Sequence, residues 1–260
     1  MSSRSAVLAG LFAVCALLPE VAGATEIRLL SANVFTGVLD GPIKDFERAS
    51  GHNVVIVYAT AGNIKARVQS GEPGDVTIVT RPMMDELERS GKVAPGTRVD
   101  MARSAVALVV RSGASKPDIS SVDALKHALL TANSISYPDP SQGGATGVLV
   151  TGILERLDLA ASMKAKTKFP APGGFAVELV AKGEAELAIA QPMEALLQPG
   201  VEIVGLLPSE LQSPPNFTFT IGQMAIARQP DAARSLMQYL VGPAVQSILK
   251  GKGMEPGSGT

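Results

Sequence analysis

The sequence predicts an α/β protein whose parallel sheets are covered by helices on both faces. Short apolar or β-branched runs, typical of buried parallel strands, alternate with longer stretches of helical periodicity. This alternation extends over most of the 260 residues, as expected for repeated strand–helix–strand units. No internal repeat of about 20–50 residues is visible, so a solenoid or propeller is not expected.

The predicted elements follow one another in the order of a wound sheet. The predicted strands are residues 26–31, 53–58, 76–79, 105–110, 134–137, 187–189 and 201–204. The predicted helices are residues 38–49, 64–70, 82–90, 122–132, 147–157, 174–182, 232–240 and 243–250. Gly71, Gly91 and Gly183 follow three of these helices, where glycine is a common C-terminal stop signal.

Residues 1–24 have the pattern of a cleavable export signal. Arg4 supplies a positive charge, residues 6–18 are apolar, and Ala22, Gly23 and Ala24 form a small-residue cleavage site. The apolar run is too short for a membrane-spanning helix, which needs about 20 residues. We therefore expect a periplasmic mature protein that begins near Thr25 and is not inserted in a membrane.

The composition excludes several function classes. The lone Cys15 lies in the signal segment, so the mature chain has no disulfide, thiol nucleophile or cysteine-bound zinc. Lys and Arg number 23 against 24 Asp and Glu, which gives no basic surface for nucleic acid. His52 and His127 are the two histidines, too few for a histidine metal cluster. We expect no metal and no cofactor.

Three predicted strand-to-helix junctions are rich in small and hydroxylated residues: 31–34, 59–63 and 139–147. In open α/β sheets, ligands bind at the carboxyl ends of strands, where helix N-termini present free amides. Such a site suits a carboxylate or another oxyanion, although each junction alone could be an ordinary helix cap. The candidate ligand contacts are Ser31, Asn33, Thr60, Ala61, Gly62, Ser141, Gly144 and Thr146.

These junctions occur within segments that resemble the type II periplasmic solute-binding proteins, in the branch of molybdate-binding proteins. The segments are SANVFTGVL, YATAGNIKARVQSGEPGDVTIVT, RSAVALVVRSG, YPDPSQGGATGVLVTGIL and VAKGEAELAIAQPMEAL followed by GVEIVGLLP. Residues 69–76 resemble the family pattern QI..GAPADV most specifically, and the resemblance covers nearly the whole mature chain.

The resemblance implies two α/β lobes that close like a hinge on a ligand bound between them. Lobe one would comprise residues 25–104 plus 218–260, and lobe two residues 105–217. The chain would cross between the lobes near residues 103–107 and 217–224. It further implies a small anionic ligand, delivery to an ABC permease, and a protein that acts as a monomer.

The departures from the molybdate branch favour a different anion. Ser31 matches the first ligand-binding serine of that family, and Thr60 or Ala61 stands at the second. Gln191 occupies the position of a family tyrosine, which replaces a hydroxyl by an amide. A larger organic carboxylate fits better than molybdate. Arg81, Arg103 and Lys65 are candidate carboxylate partners, or else solvated surface charges.

A second interpretation is catalytic, because this branch also resembles periplasmic aconitate isomerases. That resemblance implies a proton shift without a cofactor: a base takes a proton next to a carboxylate, and the proton returns at another carbon. The base could be Tyr58, Tyr137, Glu194 or a buried lysine, whereas His52 and His127 are expected to be peripheral. We expect an exported anion-binding protein, with the isomerase as the alternative.

Overall fold

The computed structural model describes residues 25–257, so the predicted signal segment 1–24 lies outside the described residues. The strands are β1 (Glu26–Ala32), β2 (Asn53–Ala59), β3 (Val76–Thr80), β4 (Val99–Arg103), β5 (Ala107–Arg111), β6 (Ile135–Ser136), β7 (Thr167–Lys168), β8 (Leu187–Ala190), β9 (Val201–Leu206), β10 (Thr218–Gln223) and β11 (Glu255–Pro256). The helices are α1 (Asp40–Ser50), α2 (Ala61–Gln69), α3 (Arg81–Arg89), α4 (Val122–Thr131), α5 (Ala145–Arg156), α6 (Ala160–Lys164), α7 (Ala176–Lys182), α8 (Pro192–Leu197), α9 (Pro230–Leu240) and α10 (Pro243–Gly251).

The strands form two separate sheets. One has six strands in the order β11-β4-β10-β3-β1-β2, and the other has five in the order β7-β6-β8-β5-β9. We call the first sheet with the helices packed on it the six-stranded unit, and the second sheet with its helices the five-stranded unit. The α/β class with helices flanking two sheets agrees with the sequence prediction.

The expectation of mostly parallel sheets is wrong in its detail. β1 pairs in parallel with β2 and β3, and β6 pairs in parallel with β7 and β8. The remaining pairings, β10 with β3 and β4, β11 with β4, and β5 with β8 and β9, are antiparallel. The antiparallel strands β4, β5 and β10 adjoin the stretches where the chain passes from one sheet to the other. A strand reached in this way does not follow a helix of the same sheet, so it need not run parallel to its neighbours.

Sequence patterning missed the strands β4, β7 and β11 and the helices α6 and α8, and it indicated β10 only as an extended crossover near residues 217–224. β10 reads TFTIGQ and is buried along its whole length, because it lies inside the six-stranded sheet with neighbours on both sides. Its threonines and glutamine do not read as a buried strand. The short elements offer too few residues for a periodic pattern to be recognised.

The chain passes between the two sheets twice. It leaves the six-stranded sheet at Arg103 and enters the five-stranded sheet at Ala107, and it returns between Leu206 and Thr218. The predicted lobe boundaries at 104/105 and 217/218 and the hinge between them stay predictions.

Helix α8 lies where the two units meet. Its Met193 packs in the main apolar cluster of the six-stranded unit, with β1 and β3 residues such as Leu29 and Ile78. Two residues later, Ala195 packs with Val109 and Ala188 of the five-stranded sheet. In the part of the chain that is described, no helix is long and apolar enough to cross a membrane.

Candidate functional site

A cleft lies between the two units, with an empty volume of about 590 Å³ that includes its opening to solvent. Residues of β1, α2 and β10 contribute to one wall, and the other wall comes from the five-stranded unit. The lining residues are Ala32, Asn33, Val34, Thr60, Ala61, Pro138, Asp139, Gln142, Gly144, Ala145, Thr146, Pro170, Ala171, Gly173, Gly174, Phe175, Gln191, Glu194 and Phe219.

Helix N-termini open into the cleft from both units. Thr60 is the N-cap of α2, and its hydroxyl accepts a hydrogen bond from the Asn63 amide at 3.3 Å. Gly144 is the N-cap of α5, followed by Ala145 and Thr146 in the lining. The first amides of a helix have no backbone partner within the helix, and both termini carry a positive partial charge that favours an anion. At α2 the Gly62 and Asn63 amides are already bonded, which leaves the Ala61 amide as the donor.

Two hydrogen bonds join the units directly across the cleft. The Thr60 hydroxyl donates to the Gln142 carbonyl at 2.6 Å, and the Gly62 amide donates to the Gly143 carbonyl at 3.1 Å. A Cβ on Gly62 would lie 2.6 Å from that carbonyl oxygen, closer than any real contact allows. We call this backbone contact the Gly62–Gly143 clasp, and it requires the close approach that glycine permits.

Gln191 and Glu194 are buried polar residues in the lining, and each has one side-chain oxygen without a hydrogen-bond partner. Gln191 caps α8 and Glu194 lies in its first turn, and their side chains are 5% and 8% exposed. Gln191 Oε1 and Glu194 Oε2 have no partner among the described residues. Buried polar atoms are normally satisfied, so an unpaired pair beside a cleft indicates a place for a ligand.

Burial changes the chemistry of Glu194. Removal from water raises the pKa of its carboxyl from 4.5 to about 8, and a hydrogen bond from the Gln191 backbone acts weakly in the opposite direction. The cause is the position of α8, whose flanking residues Met193 and Ala195 pack in apolar clusters of the two units. A carboxyl with this pKa can exchange a proton near neutral pH.

The cleft contains acidic side chains but no basic ones among the residues that the structure describes. Asp139 and Glu194 are its charged members. The predicted cations pair elsewhere: Arg81 with Asp100, Arg103 with Glu255 at 3.4 Å, and Lys65 with Glu86 at 2.5 Å. These three residues do not line the cleft, so helix amides and neutral side chains such as Asn33 and Thr146 are the donors available to an anion there.

Six of the predicted ligand contacts come together in the lining: Asn33, Thr60, Ala61, Gly144, Thr146 and Gln191. The others lie apart from it. Ser31 is buried and donates to the Ala32 carbonyl at 3.2 Å, Gly62 forms the clasp, and Ser141 is exposed. The role of each of these residues in ligand binding stays a prediction.

Of the base candidates named individually, Glu194 alone lines the cleft. The Tyr58 hydroxyl is buried without a hydrogen-bond partner, and burial followed by the nearby Asp40 carboxylate raises its pKa. Tyr137 packs edge-to-face against Phe169, with the two ring centroids 5.3 Å apart, and lines a different cavity. His127 is exposed, and the His52 ring lies with its centroid 6.2 Å from that of the Phe46 ring. Neither histidine lines the cleft.

Sequence reasoning missed the loop before α7 and the contribution of β10. Pro170, Ala171, Gly173, Gly174 and Phe175 line the cleft, as does Phe219 of β10. The PAPGGF run was a usable signal, because a proline- and glycine-rich loop between a strand and a helix often borders a site. Phe219 had no such signal, since its position depends on the antiparallel placement of β10.

Two mixed sheets with a cleft between them are the architecture of the periplasmic-binding-protein class of α/β folds. The chain belongs to the bacterial extracellular solute-binding protein family, whose model matches residues 27–255. It is similar in fold to the solved periplasmic molybdate-binding protein of Azotobacter vinelandii, with a TM-score of 0.72 and 21% identity over 88% of this chain and 98% of that one. The sulfate-binding protein SubI of Mycobacterium tuberculosis has a TM-score of 0.70 and 18% identity over 89% and 87%.

Two curated relatives are similar over nearly the full chain. An aconitate isomerase of a Pseudomonas species is 37% identical over 240 residues, which cover 89% of this chain and 88% of the relative. The molybdate-binding protein ModA of Azotobacter vinelandii is 28% identical over 244 residues, or 91% and 92% of the two chains. The predicted resemblance to this solute-binding branch is confirmed.

Proposed function

We propose that this chain is an aconitate isomerase, which binds a small unsaturated tricarboxylate in the cleft and moves its double bond by proton transfer. The observation that carries the proposal is Glu194, a buried carboxyl in the cleft lining with an unpaired oxygen and a pKa of about 8. The 37% identity to an aconitate isomerase supports the same activity. The sequence alone favoured binding over catalysis, and the position of Glu194 reverses that preference.

The reaction needs one proton to leave carbon and one to return. In its ionised form, Glu194 would take a proton from the substrate methylene, and the electrons left behind would spread into the adjacent double bond and carboxylate. The protonated Glu194 would then return the proton to the former vinyl carbon, so that the double bond moves by one position. Atoms and electrons balance without an added oxidant or reductant.

The environment of Glu194 suits this role. A carboxylate with a pKa near 8 is a stronger base than an ordinary glutamate, which brings it closer to the weak acidity of the substrate carbon. Because the ionised form is the base, the rate at limiting substrate should rise with pH until about the pKa of 8. The apolar packing around Met193 and Ala195 fixes the position of α8 against both units.

The substrate carboxylates would be held by amides instead of by cations. The N-termini of α2 and α5 approach the cleft from the two units, and the Ala61 amide of α2 and the first amides of α5 have no partner within their helices. The same donors would stabilise the negative charge of the dienolate formed between the two proton transfers. Thr146 adds a hydroxyl group to the lining, whereas the Thr60 hydroxyl already donates to the Gln142 carbonyl.

Proton NMR in deuterated buffer tests the proposal. Purified mature protein is incubated with trans-aconitate, and we expect cis-aconitate signals to grow. E194Q should reduce the rate by about 10³-fold or more, because general-base catalysis contributes roughly 10²–10⁴-fold. E155Q, at an exposed glutamate of α5, is the matched control and should retain the wild-type rate. Unchanged trans-aconitate with the wild type, or full activity in E194Q, would contradict the proposal.

Anion capture without turnover is the second candidate. It is supported by the donors of α2 and α5 on opposite walls, a geometry that can hold an oxyanion by itself, and by the 28% identity to ModA. In that case a membrane permease would be the partner. Thermal stabilisation by molybdate or a carboxylate, with no conversion of trans-aconitate, would favour capture.

We propose the same cellular location, oligomeric state and lobe division for either activity. The chain would be exported to the periplasm with cleavage after residue 24 and act there as a monomer. Residues 25–104 plus 218–260 would move as one lobe and 105–217 as the other. N-terminal sequencing of the periplasmic protein and its mass in solution test these expectations.

A further inference from the structure

Among the described residues that line the cleft, no cation lies beside Glu194 to compensate its charge. Gln191 Oε1 is buried and unpaired at the start of the same helix, and Glu194 Oε2 is buried and unpaired one turn later. Among the described residues of the lining, Asp139 is the other charged side chain, and it is acidic too. A carboxylate ligand entering this space would meet a second carboxylate without a counter-charge.

Charged groups on the neighbouring elements are engaged with one another. On β9, which packs against α8, Glu202 pairs with Lys116 at 3.0 Å. The segment after α10 approaches Pro192 and Leu196 at Gly253, and its Glu255 pairs with Arg103 at 3.4 Å. Asp139 accepts a hydrogen bond from the Ser141 amide at 2.9 Å. No charged group is among the causes of the raised pKa of Glu194.

We infer that the cleft binds its carboxylate ligand with Glu194 protonated, so that Glu194 donates a hydrogen bond to the anion. A protonated carboxyl is a donor whereas an ionised one only accepts, so the protonated form adds one more hydrogen-bond partner for the anion to those of the helix amides. Two like charges in a water-poor site would repel each other strongly, so the ionised form should bind the anion much more weakly.

This inference rests on the proposed carboxylate ligand and adds the charge state of the complex. Ligand binding and base ionisation then oppose each other. Glu194 is protonated in the most tightly bound complex. In the complex that can take a proton from carbon, Glu194 is ionised. Above the pKa of about 8, each ligand that binds should therefore bring in one proton from solution.

Calorimetric binding of tricarballylate tests the inference without catalysis. This saturated tricarboxylate has the carboxylates of aconitate but no double bond to move, so it cannot isomerise. Titrations in two buffers of different ionisation enthalpy give the number of protons taken up. We expect about one proton per ligand near pH 9.5, about a quarter near pH 7.5, and a dissociation constant about 25-fold larger at the higher pH.

Two variants identify the group that holds the proton. E194Q is neutral at every pH, so its affinity should lack the pH-dependent loss and its proton uptake should vanish. D139N changes the other acidic group of the cleft and should retain the uptake of one proton near the higher pH. The counts for the wild type and D139N do not depend on the folding of E194Q, so they test the inference by themselves.

The outcomes separate this inference from the proposed activity. Tricarballylate binding with no proton uptake, uptake that disappears in D139N, or no binding at any pH would overturn the inference. Conversion of trans-aconitate in that case would leave the isomerase proposal intact. Binding of tricarballylate with one proton, together with no conversion of trans-aconitate, would support the inference and contradict the isomerase.

Discussion

Two buried carboxyl groups in this molecule have opposite surroundings. Asp75, which precedes β3 in the six-stranded unit, is 5% exposed and accepts three backbone hydrogen bonds. The donors are the amides of Arg28 at 2.9 Å, Arg228 at 2.8 Å and Gln229 at 3.2 Å. Asp75 thereby ties β1 to the segment that enters α9.

Glu194 is buried to nearly the same extent, at 8% exposure, but one of its oxygens has no partner. Its pKa is raised because burial disfavours the charge and few donors offset it. The comparison teaches that burial alone does not identify a functional carboxyl. The donors around it do: a carboxylate with three amides is committed to the fold, whereas one with an open oxygen beside a cleft is available to a ligand.

The largest expected effect is the change that Glu194→Gln makes in how the free energy of unfolding depends on pH. The pKa of Glu194 is higher in the folded state than in the unfolded chain, so its favourable contribution is complete below about pH 4.5 and is lost as pH rises to about 8. The shift corresponds to as much as about 5 kcal/mol. E194Q should therefore be more stable than the wild type near pH 8.5 and lose less stability between about pH 5 and pH 8.5.

Urea unfolding at the two pH values measures this effect. E155Q is again the control, because Glu155 is exposed and its replacement should leave the wild-type pH dependence unchanged. The same loss of stability with pH in E194Q as in the wild type would mean that Glu194 is not the buried acid responsible.

The next effect concerns Asp75, and its direction is opposite. Asp75→Ala removes the acceptor of three amides and should lower the free energy of unfolding by about 3 kcal/mol at neutral pH. Asp75→Asn keeps one acceptor oxygen and should cost less. Urea unfolding measures both, and turnover of trans-aconitate per folded molecule should stay at the wild-type value. A stable Asp75→Ala protein with impaired turnover would break the distinction between the two carboxyls.

The smallest expected effect concerns the clasp between the units. Gly62→Ala places a methyl group against the Gly143 carbonyl, so the units should approach less closely. We expect tricarballylate to bind about tenfold more weakly, or about 1.4 kcal/mol. The matched control is Gly41→Ala: Gly41 is likewise the second residue of its helix, α1, but a Cβ there meets nothing within 4 Å. Calorimetry compares the two variants, and equal affinities would show that the clasp does not support closure.

Most of the secondary structure was predictable because its cause is local. The runs that became β1, β2 and β3 are apolar and β-branched, and the observed strands extend each prediction by one residue. Helices such as α1 and α9 have an apolar face that repeats with the helical period. β10 was expected only as an extended crossover, because its burial depends on the strands β4 and β3 that pair with it on either side.

The candidate site was predictable only in part. Junctions of small residues after strands directed attention to Thr60, Gly144 and Thr146, which line the cleft because helix N-termini form where such residues cap them. Arg81 and Arg103 drew attention as carboxylate partners, but their ion pairs with Asp100 and Glu255 lie away from the cleft lining. A sequence does not reveal which opposite charge each side chain will meet.

The sequence by itself determined the α/β class, the order of most elements and the family, because these follow from local periodicity and from motifs along one chain. Tertiary structure alone decided that the sheets are mixed, that Gly62 meets Gly143, and that Glu194 loses its water between two apolar clusters. The physical reason is that burial and pairing depend on residues far apart in sequence. The pKa of Glu194 is set by packing that no local pattern records.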